Sequence, residues 1–107
     1  MAIMDEKTEQ EVNKNKAIRG YIIRALAKGN DNTLLIKQIA NALVGDGYIY
    51  SPDISKHLEY LKDGGYIDFT GKVANAYSAY RLDSTIKLTK KGVDLYENTI
   101  EDKGVDV

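Results

Sequence analysis

The chain of 107 residues has no cysteine and no tryptophan, and only one proline and one histidine. Without thiols there is no disulfide framework, no thiolate metal site and no cysteine nucleophile. The lone histidine, His57, cannot supply the Cys/His cluster of a metal-sensing site, and no Ser/His/Asp set can be assembled beyond it. No pair of carboxylates has a partner that would define an acid–base site. These absences argue against an enzyme and against a bound metal or cofactor. Long apolar runs are missing as well: the stretches reach a few residues, where a membrane span needs about 20. The opening MAIMDEKTEQEV lacks the basic segment and apolar run of a secretory leader, so the expectation is a cytoplasmic protein. Nor is one sign of charge in excess. Fifteen Lys and Arg face sixteen Asp and Glu for a net −1, which on its face speaks against nucleic acid.

What is present is a 43% hydrophobic share spread along the chain, enough for one packed domain over 1–107. An acidic N-terminal extension, 1–11, and a short tail, 103–107, flank it. The charge is segregated. Residues 1–11 sum to −3, 12–28 to +5, 29–83 to −2, 84–91 to +3 and 92–107 to −4, so the stretch 12–91 carries +6. Acidic ends around a basic middle suit a phosphate-binding face. Each charge taken singly is also what an ordinary solvated helix face carries.

Periodicity places the elements. Ile18, Tyr21, Ile22, Ala25 and Leu26 recur at spacings of three and four, which marks an amphipathic helix over 12–28, slightly weakened by Gly20. Gly29-Asn30-Asp31-Asn32 ends it. Thr33 then caps a second helix striped by Leu35, Ile36, Ile39, Ala40 and Leu43, which Gly45-Asp46-Gly47 breaks. Ser51-Pro52 reads as a cap followed by the first helical position, opening a helix over 52–63 that buries Ile54, Leu58 and Leu61 with His57 beside them. After Gly64-Gly65, an alternating strand over 66–70 and another within 79–88 form the cheapest antiparallel hairpin. Thr89 caps a last helix from Lys90 to about Asp102. Gly45-Asp46-Gly47 lacks the Lys-Ser/Thr of a phosphate-cradling loop.

The run SPDISKHLEYLKDGGYI, residues 51–67, resembles the recognition helix and first wing strand of bacterial and archaeal winged-helix regulators. The later LTKKGVDL, residues 88–95, resembles the junction where the second wing strand enters the final helix. The resemblance covers about residues 15–100. It implies an α+β winged helix-turn-helix: three helices, a two-stranded β-hairpin wing and a C-terminal helix. The ending GVDLYENTIEDKGV, residues 92–105, is similar to that of small phage- or prophage-encoded winged-helix proteins of unassigned function, with Lys103 in place of an expected Pro. One departure stands out. Six or seven residues separate the second helix from Ser51, where a tight helix-turn-helix turn has about three or four.

In such a domain the third helix enters the major groove. Its outward candidates for DNA contact are Ser51, Asp53, Ser55, Lys56, Glu59 and Tyr60. Ser, Lys and Tyr can bond phosphates, and Asp or Glu can accept from cytosine N4. The helix sums to −1 and has no Arg, which weighs against strong base readout. The wing adds Lys72, Asn75, Tyr77, Ser78, Tyr80 and Arg81, a mixture suited to phosphate or minor-groove contact, or to tyrosines packing on the sheet. Lys14, Lys16 and Arg19 can flank the duplex, or pair with the acidic ends. A homodimer is expected, because one helical reader spans few base pairs. Ile18, Ile22, Val93, Tyr96 and Ile100, joined by Ile3 and Met4, either form its seam or close the monomer core. The leading expectation is a DNA-binding transcriptional regulator on double-stranded DNA. A winged-helix protein-interaction module in a phage or replication assembly is the alternative, and a ligand-responsive switch has only the tyrosines to support it.

Overall fold

In a computed structural model, which describes residues 6–70, 81 and 83–107, the apolar-periodic stretch lies within helix α1, Glu6–Lys28. The helix starts before residue 12, so residues 6–11 are its first turns and not a separate acidic extension. Ile18, Ile22, Ile23 and Leu26 make its buried stripe. Each such side chain stabilises by about 1.5–3 kcal/mol when fully buried. Four of them outweigh the cost of about 1 kcal/mol for a mid-helix glycine. After a short 3₁₀ turn, Asn30–Asn32, the chain enters β1, Thr33–Leu35. Asp31 and Asn32 take φ of 57° and 55° there, a conformation Asn and Asp tolerate.

β1 was not legible as a strand, and Thr33 does not cap a helix. Its hydroxyl donates to the Asp31 carbonyl, and its backbone lies opposite Lys87 in an antiparallel ladder. Helix α2, Ile36–Gly45, begins after it, with the Gln38 side chain accepting from the Leu35 N–H at 2.8 Å. Helix α3, Ser55–Asp63, starts later than the Ser51-Pro52 signal implies. Its N-cap is Ile54, which has no side-chain cap bond, and the preceding Asp53 carboxylate accepts from the Ser55 N–H (3.0 Å) and Oγ (2.5 Å). Ser51 Oγ instead accepts from the Asp53 N–H within the turn. The connection between α2 and α3 therefore spans residues 46–54, longer than the sequence suggested.

Strands β2, Ile67–Thr70, and β3, Thr85–Leu88, pair antiparallel as expected, with Phe69 opposite Ile86. The sheet has three strands rather than two, in the order β1-β3-β2. Ile86, on the central strand, is fully buried against the helices. Thr89 does cap the last helix, α4, Lys90–Tyr96, its Oγ1 accepting from the Gly92 N–H at 3.1 Å. That helix stops at Tyr96, short of Asp102, because Asn98 turns to a φ of 62° and the Asp94 carbonyl takes the Thr99 N–H.

The last residues are not a loose tail. They run back across α1, where the Asp106 N–H donates to the Lys16 carbonyl at 3.0 Å and Val105 is buried. Arg19 and Arg24 donate to the carbonyls of Gly104 and Asp106. This crossing explains Gly20, since a Cβ there would collide with the Asp106 carbonyl. Gly92 is required in the same way by the Tyr66 carbonyl.

The seam expected of a dimer changes accordingly. Ile18 and Ile22, at 2% and 0% exposure, belong to the core of the single chain and offer a partner no surface. Val93 and Ile100 pack partly buried against that core, which leaves Tyr96 as the outward member of the set. Ile3 and Met4 lie outside the described residues.

Candidate nucleic-acid interface

Helix α3 is fixed by its inner face, where Ile54, His57, Leu58 and Leu61 are buried. Opposite them, Lys56, Glu59, Tyr60, Lys62 and Asp63 are exposed, as are Ser51, Pro52 and Asp53 just before the helix. The expected contact residues thus divide by what already occupies them. Asp53 is engaged by Ser55, first through the hydroxyl and then the backbone N–H, and its carboxyl is held below the ordinary carboxylate range. Ser55 is half-buried and spends its hydroxyl on that bond.

Tyr60 is turned toward α1 and the C-terminal segment. The Arg19 guanidinium sits 3.6 Å from its ring centroid, and its hydroxyl lies against Gly104. Lys62 pairs with Asp68 of β2 at 3.2 Å, and that hydrogen bond lowers the Asp68 pKa. Lys56 and Glu59 remain as outward charged groups of the expected set without a salt bridge among the described residues, and Ser51 is exposed with its Oγ accepting from the Asp53 N–H. Of the residues expected in a wing, Arg81 is exposed and pairs with Asp83 at 3.4 Å, an arrangement contributing on the order of 0–1 kcal/mol. Lys72, Asn75, Tyr77, Ser78 and Tyr80 lie outside the described residues.

Behind this face is a polar cluster that binds the elements together. His57 is 3% exposed, and neither its Nδ1 nor the Arg19 Nε has a hydrogen-bond partner among the described residues. Burial first, then the charges of Lys56 and Arg19, lowers the His57 pKa to about 4, so the ring is neutral at neutral pH. Nearby, the Tyr66 hydroxyl donates to Asp102 at 2.5 Å. Burial and that bond push Tyr66 up to about 12, while the same bond holds Asp102 below the usual carboxylate range.

Sequence reasoning missed Tyr50. In the turn before α3 it is 99% exposed, while Tyr48, two residues earlier, packs its ring 5.4 Å from that of Tyr21. The alternation Tyr48-Ile49-Tyr50 sits among glycines and polar residues and carries no period that tells the inward tyrosine from the outward one. Between this turn, the N-terminal half of α1 and the first turn of α3 lies a groove of about 420 Å³.

Among the described residues, no group of three or more His, Cys, Asp or Glu is placed to hold a metal ion. Among the same residues, no helix is long and apolar enough to cross a membrane. Comparison of the chain with protein-family models, curated proteins and solved structures finds no match in any of the three.

Proposed function

We propose that this protein is a cytoplasmic DNA-binding regulator of the winged helix-turn-helix type, working as a homodimer that meets duplex DNA with α3 and the segment joining β2 to β3. The observation that carries the reading is the disposition of α3. Its apolar face is locked in the core, its polar face with Lys56 and Glu59 points outward, and the hairpin follows it directly. The +6 charge of residues 12–91 supplies the attraction to phosphate. Base selectivity is weak in this scheme, because Asp53 and Tyr60 are committed within the chain and α3 has no arginine.

Anisotropy of a labelled random-sequence duplex, titrated over salt, tests the proposal. Binding weakens with salt by about 0.9 in log K per phosphate neutralised, and Lys56→Ala and Arg81→Ala each weaken it further. Absence of binding to any duplex at low salt refutes it. One observation favours a second reading, a protein-interaction module. With Lys62 paired to Asp68, Lys56 is the cation of α3 without an ion pair among the described residues, on a face that also carries Glu59 and Asp63. Such a module binds its partner with little salt dependence, and that binding survives Lys56→Ala.

A further inference from the structure

The groove beside α3 has a composition that the duplex-reading face does not account for. Lys14 and Asn15 come from α1, Tyr50 and Ser51 from the turn, and Lys56 and His57 from the first turn of α3, with Ile18 and Ile49 as its apolar part. Two lysines from separate elements thus line one cavity, and neither makes an ion pair among the described residues. Two acids also line it, Glu11 on α1 and Asp53, whose carboxylate keeps its charge while accepting from the Ser55 N–H and hydroxyl, so the two lysines act against these charges. The start of α3 contributes the positive end of a helix. His57 is an independent sign: it forms part of the wall, is 3% exposed, and its Nδ1 lacks a partner. Buried polar atoms left unpaired are rare in folded proteins and call for an explanation, a bound water or ion among them.

We infer that this groove is an oxyanion site, binding a phosphoryl group between Lys14 and Lys56 with the Ser51 and Tyr50 hydroxyls as further donors. The same chemistry serves a backbone phosphate and a free phosphate ester. The first source rests on the DNA reading above, and it extends the contact from α3 onto α1.

His57 is the only histidine in the chain, so its ring protons give an isolated NMR signal beside the site. The full chain is titrated with inorganic phosphate at constant ionic strength, with chloride as control. The His57 signals move saturably with phosphate and not with chloride, and the movement is lost in Lys14→Ala, an exposed position that the core does not use. In parallel, Lys14→Ala weakens duplex binding about tenfold and makes the salt slope shallower by about 0.9.

No saturable movement with phosphate, or the same movement in Lys14→Ala, overturns the site. A phosphate-saturable shift beside a duplex that binds without moving the His57 signals supports the site, assigns it to a free phosphate ester and leaves the DNA reading intact. A phosphate-saturable shift without duplex binding at low salt supports the site, assigns it to a free phosphate ester and removes the DNA reading.

Discussion

Acid should unfold this protein through one residue before its carboxylates contribute. His57 is buried without a partner for Nδ1 and lies near Lys56 and Arg19, and its pKa falls from 6.5 to about 4. Between those values the unfolded chain binds a proton that the folded chain refuses, so stability is lost as pH falls. The full displacement corresponds to roughly 3 kcal/mol at 1.36 kcal/mol per pH unit. Going from about pH 7 to about pH 5 removes about 2 kcal/mol of it. Asp53, Asp68 and Asp102 are all lowered. Their losses therefore begin only as pH falls below the unperturbed carboxylate range near 4, which leaves the upper window to His57. Urea midpoints measured across that window read the loss directly, and His57→Gln supplies the control, with a lower starting stability but a flatter pH dependence. A wild-type stability unchanged between about pH 7 and about pH 5 refutes the reasoning. So does a ring titration near 6.5 in the folded protein.

Two further expectations concern packing and base. Gly20→Ala improves helix propensity by about 1 kcal/mol but drives a methyl into the Asp106 carbonyl. Overpacking and the loss of the Arg19, Arg24 and Lys16 contacts with the C-terminal segment make the change destabilising by about 1–3 kcal/mol net, read from denaturant midpoints and from faster proteolysis of that segment. At high pH the sign reverses from that of His57. Tyr66, raised from 10.0 to about 12, contributes stability that is complete below about pH 10 and is lost as pH rises toward 12, by roughly 2 kcal/mol. Tyr66→Phe keeps the ring and flattens that alkaline loss, which stability measurements on either side of pH 10 check.

The elements that could be read from sequence are those with a period. The α1 stripe buries Ile18, Ile22 and Leu26 but leaves Tyr21 and Ala25 half-buried. The α2 stripe buries Ile36, Ile39, Ala40 and Leu43, with Leu35 in β1, and β2 and β3 pair as their alternation implies. β1 escaped because three residues carry no periodicity, and its pairing partner lies some fifty positions away. The Ser51-Pro52 signal marks a turn, and the helix itself starts later, at Ser55, whose N–H is taken by the Asp53 carboxylate. Gly20 looked like a flaw in a helix and is a contact surface for a segment eighty-six positions downstream. The candidate face was half legible. Composition named the polar residues of α3, but only the three-dimensional arrangement assigns Tyr60 to Arg19 and Asp53 to Ser55. It also assigns Ile18 and Ile22 to the interior, against their expected place in a dimer seam.

The strand order β1-β3-β2 also governs how the chain acquires its shape as it is made. The middle strand is the last of the three to be synthesised, and β1 and β2 each pair with it and not with one another. A nascent chain that ends before Thr85 holds both outer strands without the one that joins them. Closure of the sheet then waits for the final fifth of the chain, which also delivers α4 and the segment that crosses α1. Of the two pairings, β2–β3 joins residues 15–21 positions apart and β1–β3 residues 50–54 apart, so closing the β1 edge is the slower step.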